Sequence, residues 1–269
     1  MSYFDFDGDE WLFFLAAAAS VVGLIVTYYL PLLSISPIKR SSLQRLALAC
    51  LPLVALIPTY VVLQRWADPR VVGHLDYTIL FMLGGGMWIF VASRFLEVLG
   101  ISIRDDAIER DNLAALVAVW GILSGVGIVY ALSNMGTGAT IWTTLLPGFV
   151  ATVALLLMPL LVELTGGSVA DAITIDRDVA SGLRLGGAAL GCSIILGHAA
   201  AGDWTSWNHT WSDLANRGWP AFLIAIAAGV LQRMLGPTAH RPQPGILKFG
   251  VVPATLVVAA GFLVVVIWR

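Results

Sequence analysis

Glu97-Val98-Leu99-Gly100-Ile101-Ser102-Ile103-Arg104-Asp105 returns 66 residues later as Glu163-Leu164-Thr165-Gly166-Gly167-Ser168-Val169-Ala170-Asp171. Asn112-Leu113-Ala114 follows the first copy and Asp178-Val179-Ala180 the second. Gly121-x-x-x-Gly125 and Gly187-x-x-x-Gly191 then fall at the same spacing, with no gap. Self-similarity at a fixed period marks a fold built by duplication. Each copy is a polar linker between two long apolar runs, so the repeating unit reads as a helical hairpin.

Composition sets the solvent. The 269 residues are 58% hydrophobic and only 12% charged, with mean hydropathy +0.86; soluble domains carry about 25% charge. Apolar runs near 11–33, 46–65, 77–99, 112–134, 142–164, 179–200, 214–235 and 246–268 are each long enough to cross a hydrocarbon layer of about 30 Å. The fold expected is an all-α polytopic membrane protein: one membrane domain over 1–269, with eight helices in parallel two-helix repeats. Copy one covers 77–134 and copy two 142–200; 11–65 and 214–268 are degenerate flanking hairpins. Two echoes support the flanks: Ser34-Ile35-Ser36 precedes Gly100-Ile101-Ser102 by 66 residues, and Pro220-Ala221-Phe222 repeats Pro147-Gly148-Phe149. Two-span units all share one orientation, so the symmetry axis lies along the membrane normal.

Charge orients the bundle. Lys39, Arg40, Arg45, Arg94, Arg104, Arg110, Arg177, Arg184, Arg233, Arg241 and Lys248 fall on one side; only Arg65, Arg70, Arg217 and Arg269 fall on the other. The positive-inside rule then places both termini outside the cytoplasm. Acidic Asp5, Asp7, Asp9 and Glu10 at the start argue against a cleavable signal peptide. Trp204, Trp207, Trp211 and Trp219 read as an outer interfacial belt. No basic patch points to nucleic acid. Cys50 and Cys192 both fall within spans and read as packing residues.

The linkers carry local rules. Gly100 and Gly166 suit left-handed helix ends. Ser102-x-x-Asp105 and Ser168-x-x-Asp171 resemble capping boxes with Asp in place of Glu. Ile101, Ile103 and Ile108, and Val169, Ile173 and Ile175, would seat each short helix in the interface. Asn112 and Asp178 are N-caps for the next spans. The inner-linker acids Asp105, Asp111, Asp171 and Asp178, with Asp106, Glu109 and Asp176, precede helix starts, where the dipole favours them; capping and solvation is the plain reading, and the functional one is a cytoplasmic carboxylate cluster that attracts cations or docks a partner.

Glu97 and Glu163 are of another kind. A carboxylate at a helix C-terminus opposes the dipole, and at the membrane boundary it is desolvated. Its appearance in both copies asks for a partner or a task. Arg94 could serve Glu97, although Leu160 stands at its place in copy two; Arg184, six residues past Asp178, could pair with Glu163. Alternatively Glu97 and Glu163 share a proton or cation, with Arg184 setting the charge balance, or the carboxylates simply snorkel to the headgroups. Two carboxylates in one low-dielectric site would split their pKa values, which suits proton exchange.

The paired Gly-x-x-x-Gly faces allow close helix approach, and Gly84-Gly85-Gly86 in mid-span marks a close crossing or a flexible point. His74, His198 and His209 lie near Asp76, Asp203 and Asp213, but no second close histidine specifies a metal. No nucleophile elbow, phosphate loop, dinucleotide fingerprint or metalloprotease motif occurs, and no cofactor is called for.

The segment Ala107-Ile108-Glu109-Arg110-Asp111-Asn112-Leu113-Ala114-Ala115, running into Gly121 and Gly125, resembles the bacterial membrane family known as domain of unknown function number 350. The resemblance spans roughly 77–235 and departs in copy two, where Asp178 replaces Asn and Ser181 replaces the second Ala. It implies a bacterial inner-membrane location and transfers no catalytic mechanism.

The reading that follows is ion or small-solute transport, proton-coupled, through Glu97, Glu163 and Arg184. The alternative is a non-catalytic scaffold whose acidic linkers dock a cytosolic protein; an enzyme acting on lipid ranks third. The lipid bilayer is the expected partner, and a homo-oligomer is compatible with either reading.

Overall fold

A computed structural model describes residues 6–34, 42–238 and 245–267. The protein is an all-α, multi-pass membrane protein. Among the described residues eight helices are long and apolar enough to span a bilayer: α1 Gly8–Leu33, α2 Leu43–Arg65, α3 Leu75–Leu99, α4 Leu113–Ser133, α5 Trp142–Gly166, α6 Val179–Ala200, α7 Trp207–Leu235 and α8 Ile246–Ile267. Helices satisfy every internal backbone group without water, which is what hydrocarbon demands. Ser36, Lys39, Arg40, His240 and Arg241 lie outside the described residues.

The eight spans form two rows. The even-numbered helices pack in sequence, α2 on α4, α4 on α6 and α6 on α8; among the odd ones α1 packs on α3 and α5 on α7. Trp88 on α3 donates to Thr152 Oγ1 on α5 at 3.0 Å and closes the odd row. Because each hairpin enters and leaves on the same side, neighbours within a row run parallel. The α6 helix is the most enclosed, with 83% of its apolar window buried against 22% for α1 and α8.

Small residues set the even row's spacing. A Cβ on Gly127 would strike the Ala55 carbonyl, one on Gly121 the Gly186 backbone, and one on Gly261 the Gly191 carbonyl. The two Gly-x-x-x-Gly faces therefore sit at helix crossings, where absent side chains let backbones touch. The triple glycine also lies in an unbroken stretch of helix, Leu75–Phe95. Phe13 and Tyr130 close on Gly84, Leu56 on Gly85 and Val21 on Gly86. The missing side chains there make room for side chains of α1, α2 and α4 rather than for a neighbouring backbone.

Proline explains a second junction. Pro52 within α2 cannot donate to the carbonyl four residues earlier. That carbonyl, Leu48 O, accepts the buried Tyr28 hydroxyl at 2.7 Å instead. Tyr28 belongs to a π-helical stretch of α1, Ile25–Tyr29, whose wider turn brings Tyr29 to α2 as well, its hydroxyl donating to Ala49 O at 3.1 Å.

The two ends of the bundle differ. The end bearing the chain termini is tied loop to loop. Gly136 N–H donates to Trp66 O at 2.9 Å and Gly202 N–H to Met135 O at 3.1 Å. Asp203 Oδ1 accepts from Thr137 N–H at 2.8 Å. The opposite end, the linker end, carries the two linkers, 97–112 and 163–178.

Candidate functional site

At the linker end α3 tightens into a 3-10 turn over Leu96–Leu99 and stops at Gly100, whose φ of 73° is the left-handed stop expected there. A π-helical stretch follows, Ile103–Glu109. Ser102 Oγ accepts from Asp105 N–H at 3.0 Å, as a capping box requires. The reciprocal bond comes from Asp106, whose Oδ2 accepts from Ser102 N–H at 2.9 Å. The wider π turn moves the returning carboxylate one residue on, so the expectation for Asp105 shifts to Asp106.

The second linker begins differently. Gly166 stays helical and Gly167 takes the positive φ, 67°. Ser168 is itself left-handed and caps nothing. Glu163 does that work: its Oε2 accepts from Ala170 N–H at 2.8 Å, at the start of the short helix Val169–Thr174. The expected Ser168–Asp171 capping box is therefore not formed.

The linkers then converge. Arg110 N–H donates to Asp105 O, and Asp176 N–H to Asp171 O, 66 residues on; Asn112 N–H to Asp106 O is matched by Asp178 N–H to Ala172 O. Asp111 and Arg177 share positive φ values of 53° and 56°. Asn112 accepts from Ala114 and Ala115 N–H and Asp178 from Ala180 and Ser181 N–H, capping α4 and α6 as expected. Asn112 also donates to Ile173 O at 2.8 Å, fastening one linker to the other. The apolar seats are filled except at Ile175, which is exposed.

The predicted charged residues go to three places. Glu97 pairs with Arg94 at 3.1 Å, both about half exposed, and lines a cleft of about 720 Å³ with Arg104, Asp105, Asp106 and Arg110. Arg110 meets Asp106 at 3.0 Å and Arg104 meets Glu109 at 3.0 Å. Val26, Thr27 and Pro31 of α1 form the far wall. Glu163 lines a separate recess of about 80 Å³ with Leu99, Ala170 and Leu185, so the two glutamates face different spaces. Asp111 and Asp171 stand apart from both cavities.

Arg184 is buried in α6 and grips other partners. Its Nη2 lies 3.5 Å from Asp178 Oδ2, with each side chain 3% exposed. Its Nε donates to Gln232 Oε1 at 2.7 Å, its Nη2 to Ser181 Oγ at 3.0 Å, and its Nη1 to Phe249 O. Gln232 Nε2 in turn donates to Ser181 Oγ at 2.8 Å, and Ser181 donates to Asp178 at 2.6 Å. A buried ion pair persists only with its remaining polar atoms satisfied. This one ties α7 and α8 to α6. Sequence reading overlooked Gln232, although a lone glutamine in an apolar run is a signal of this kind.

A further polar pocket, of about 240 Å³, opens at the terminus-bearing end among Glu10, Asp68, Arg70, Tyr77 and Thr140. Asp7 and Glu10 cap the start of α1 reciprocally, a pattern readable in the sequence. Tyr77 donates to Glu10 Oε1 at 3.1 Å. Arg70 binds both oxygens of Asp68, at 3.0 and 2.9 Å, and the Gly138 carbonyl. Those side-chain hydrogen bonds lower the Asp68 carboxyl to about 2. Among the described residues no group of three or more His, Cys, Asp or Glu gathers as for a metal ion. His209 meets Asp213 at 3.5 Å.

Comparison with protein families, with characterised proteins and with solved structures finds no match to this chain.

Proposed function

We propose that this integral membrane protein moves a small ionic solute along the seam between α1 and α3. One observation carries the reading: the two polar pockets, at opposite ends of the bundle, are lined by the same helix pair. Glu10 of α1 and Tyr77 and Phe81 of α3 form one mouth; Val26 and Thr27 of α1 and Arg94 and Glu97 of α3 form the other. Phe81 and Arg94 are thirteen residues apart, roughly 20 Å along a helix. The space between is filled where Phe13 and Tyr130 close on Gly84 and where Trp88 lies 4.9 Å from the Tyr130 ring. This is a closed state, with a small-residue segment of α3 at the constriction.

Glu97 is then the ion-binding carboxylate of the linker mouth and Glu10 its counterpart. Glu163 keeps a supporting role, since its carboxylate is committed to a helix start. The charge bias supports a linker end in the cytoplasm, and the family resemblance supports a bacterial inner membrane. The same resemblance and the matched linker bonds favour duplication of the two-helix unit. The scaffold reading keeps one observation of its own: Arg94–Glu97 and Arg104–Glu109 are surface pairs with side chains 43–67% exposed, available to a cytosolic partner.

The test is proton and monovalent-cation flux in proteoliposomes. Wild-type flux should disappear in Glu97→Gln and persist in Glu163→Gln. Absence of wild-type flux under imposed gradients would sink the transport reading and leave the scaffold.

A further inference from the structure

The linker-end cleft has properties that transport does not require. It lies where the spans end: Val26, Thr27 and Pro31 come from the last turns of α1, Arg94 and Glu97 from the last turns of α3, and Arg104–Arg110 from the linker beyond. Its two walls are π-helical at Ile25–Tyr29 and Ile103–Glu109, a geometry that is rare and concentrates at functional sites. Val26, which lines the cleft, continues into an exposed apolar ridge with Leu30 and Leu33, exposed by 51%, 51% and 76%. The space therefore lies beside an exposed apolar ridge at the linker end of the spans, which is where a lipid headgroup would meet α1.

Its charges are mixed and balanced. Arg94, Arg104 and Arg110 face Glu97, Asp105 and Asp106. Asp106 is held by the Ser102 N–H and Arg110, while the exposed Asp105 carboxylate does not take part in the capping of its own linker. Exposed ion pairs such as Arg94–Glu97 are weak and screened by solvent, so their guanidiniums exchange partners readily. A guanidinium is the side chain best matched to a phosphate, and a carboxylate alongside suits a primary ammonium.

We infer that this cleft binds a zwitterionic phosphate–ammonium headgroup, of the phosphatidylethanolamine type, with the phosphate on Arg94 and Arg104, the ammonium on Asp105 and Glu97, and the acyl chains along the Val26–Leu30–Leu33 ridge. A purely anionic headgroup would meet three carboxylates. A quaternary ammonium would lack the hydrogens that carboxylates accept. The headgroup would share this cleft and Glu97 with the proposed ion route, but lipid retention and ion flux are separate readouts, so either reading can fail while the other stands.

The full chain, purified from nanodiscs of equal phosphatidylethanolamine, phosphatidylcholine and phosphatidylglycerol, is analysed for lipid retained through native mass spectrometry. Ethanolamine lipid should be enriched at least fivefold over choline lipid, and the enrichment should fall to bulk composition in Arg94→Gln and in Asp105→Asn, both exposed positions whose substitution leaves the fold intact. Soluble phosphoethanolamine serves as the second arm. Competition by it at millimolar concentration supports the same chemistry with a soluble source; failure to compete, with lipid enrichment intact, supports the lipid source. Retained lipid matching the bulk composition in the wild type, equal retention of phosphatidylglycerol, or enrichment unchanged by both substitutions would overturn the inference.

Discussion

Adding one methyl group at Gly121 should cost more than adding it one turn later at Gly125. Both glycines face α6 from the same stripe of α4. A Cβ on Gly125 would stand 3.2 Å from Ala189 O and 3.3 Å from Ser193 Cβ, a tight fit that a few tenths of an ångström relieve. A Cβ on Gly121 would overlap the Gly186 Cα and come within 2.6 Å of its carbonyl carbon and oxygen. Both helices are backbone there, so no side chain can turn away. Restoring ordinary van der Waals distances requires α4 and α6 to part by roughly 1 Å, which forfeits a quarter to a half of the dispersion energy of each atom pair drawn apart along the crossing. Overpacking of this kind costs about 1–3 kcal/mol, against a helix-propensity gain of at most about 1 kcal/mol for replacing glycine with alanine. Gly121→Ala should therefore destabilise by about 1–2 kcal/mol, and Gly125→Ala should lie within about 1 kcal/mol of wild type. Unfolding by SDS titration in mixed micelles, followed by tryptophan fluorescence, measures both. Equal stability of the two variants, or the reverse order, would refute the claim that backbone contact at Gly121–Gly186 sets the α4–α6 spacing.

Three further outcomes follow from particular bonds. Arg184→Leu leaves Asp178 buried without its cation and should cost about 3–5 kcal/mol; adding Asp178→Asn should recover part of that loss in the same SDS titration, and strict additivity would show that the two residues do not act together. Tyr28→Phe removes the donor that replaces the missing proline bond at Leu48 O and should cost about 1–3 kcal/mol, with faster hydrogen exchange confined to the α1–α2 hairpin. The Asp68 carboxyl, lowered to about 2 by Arg70, contributes stability that is complete above its ordinary value near 3.8 and is lost as pH falls toward 2; Asp68→Asn should lower the thermal unfolding midpoint at neutral pH, remove this acid-dependent step and converge with wild type near pH 2, and an unchanged midpoint at neutral pH would refute it.

The readable parts of this chain are those decided locally. Eight apolar runs give eight spans because length and composition suffice in a bilayer. Asn112 and Asp178 cap α4 and α6 because a short polar side chain before an apolar run has few other uses. Errors enter where geometry departs from the ideal helix. The Ser102 box recruits Asp106 because the linker is π-helical, a choice that residue spacing does not signal. Gly167 rather than Gly166 ends α5, and adjacent glycines give no local reason to prefer either. The candidate site was half legible. Glu97 stood out as a carboxylate at an unfavourable helix end, and the structure places it in a cleft. Glu163, 66 residues on, is absorbed by a backbone N–H only seven residues away. Arg184 reaches Gln232 and Phe249, 48 and 65 residues along the chain, and no local pattern could name those partners.

The two-row arrangement also has a mechanical meaning. Each hairpin leans mainly on the hairpins beside it, as in stacked arrays whose energetics are close to one-dimensional. The bundle is thus a ladder of fasteners in series rather than a knot. Drawn upward from the C-terminus by a single-molecule tether, the protein should leave the bilayer one hairpin at a time. The first rupture should be the clasp that Arg184 makes between α6 and the final pair of helices, and its force should drop when that arginine is replaced.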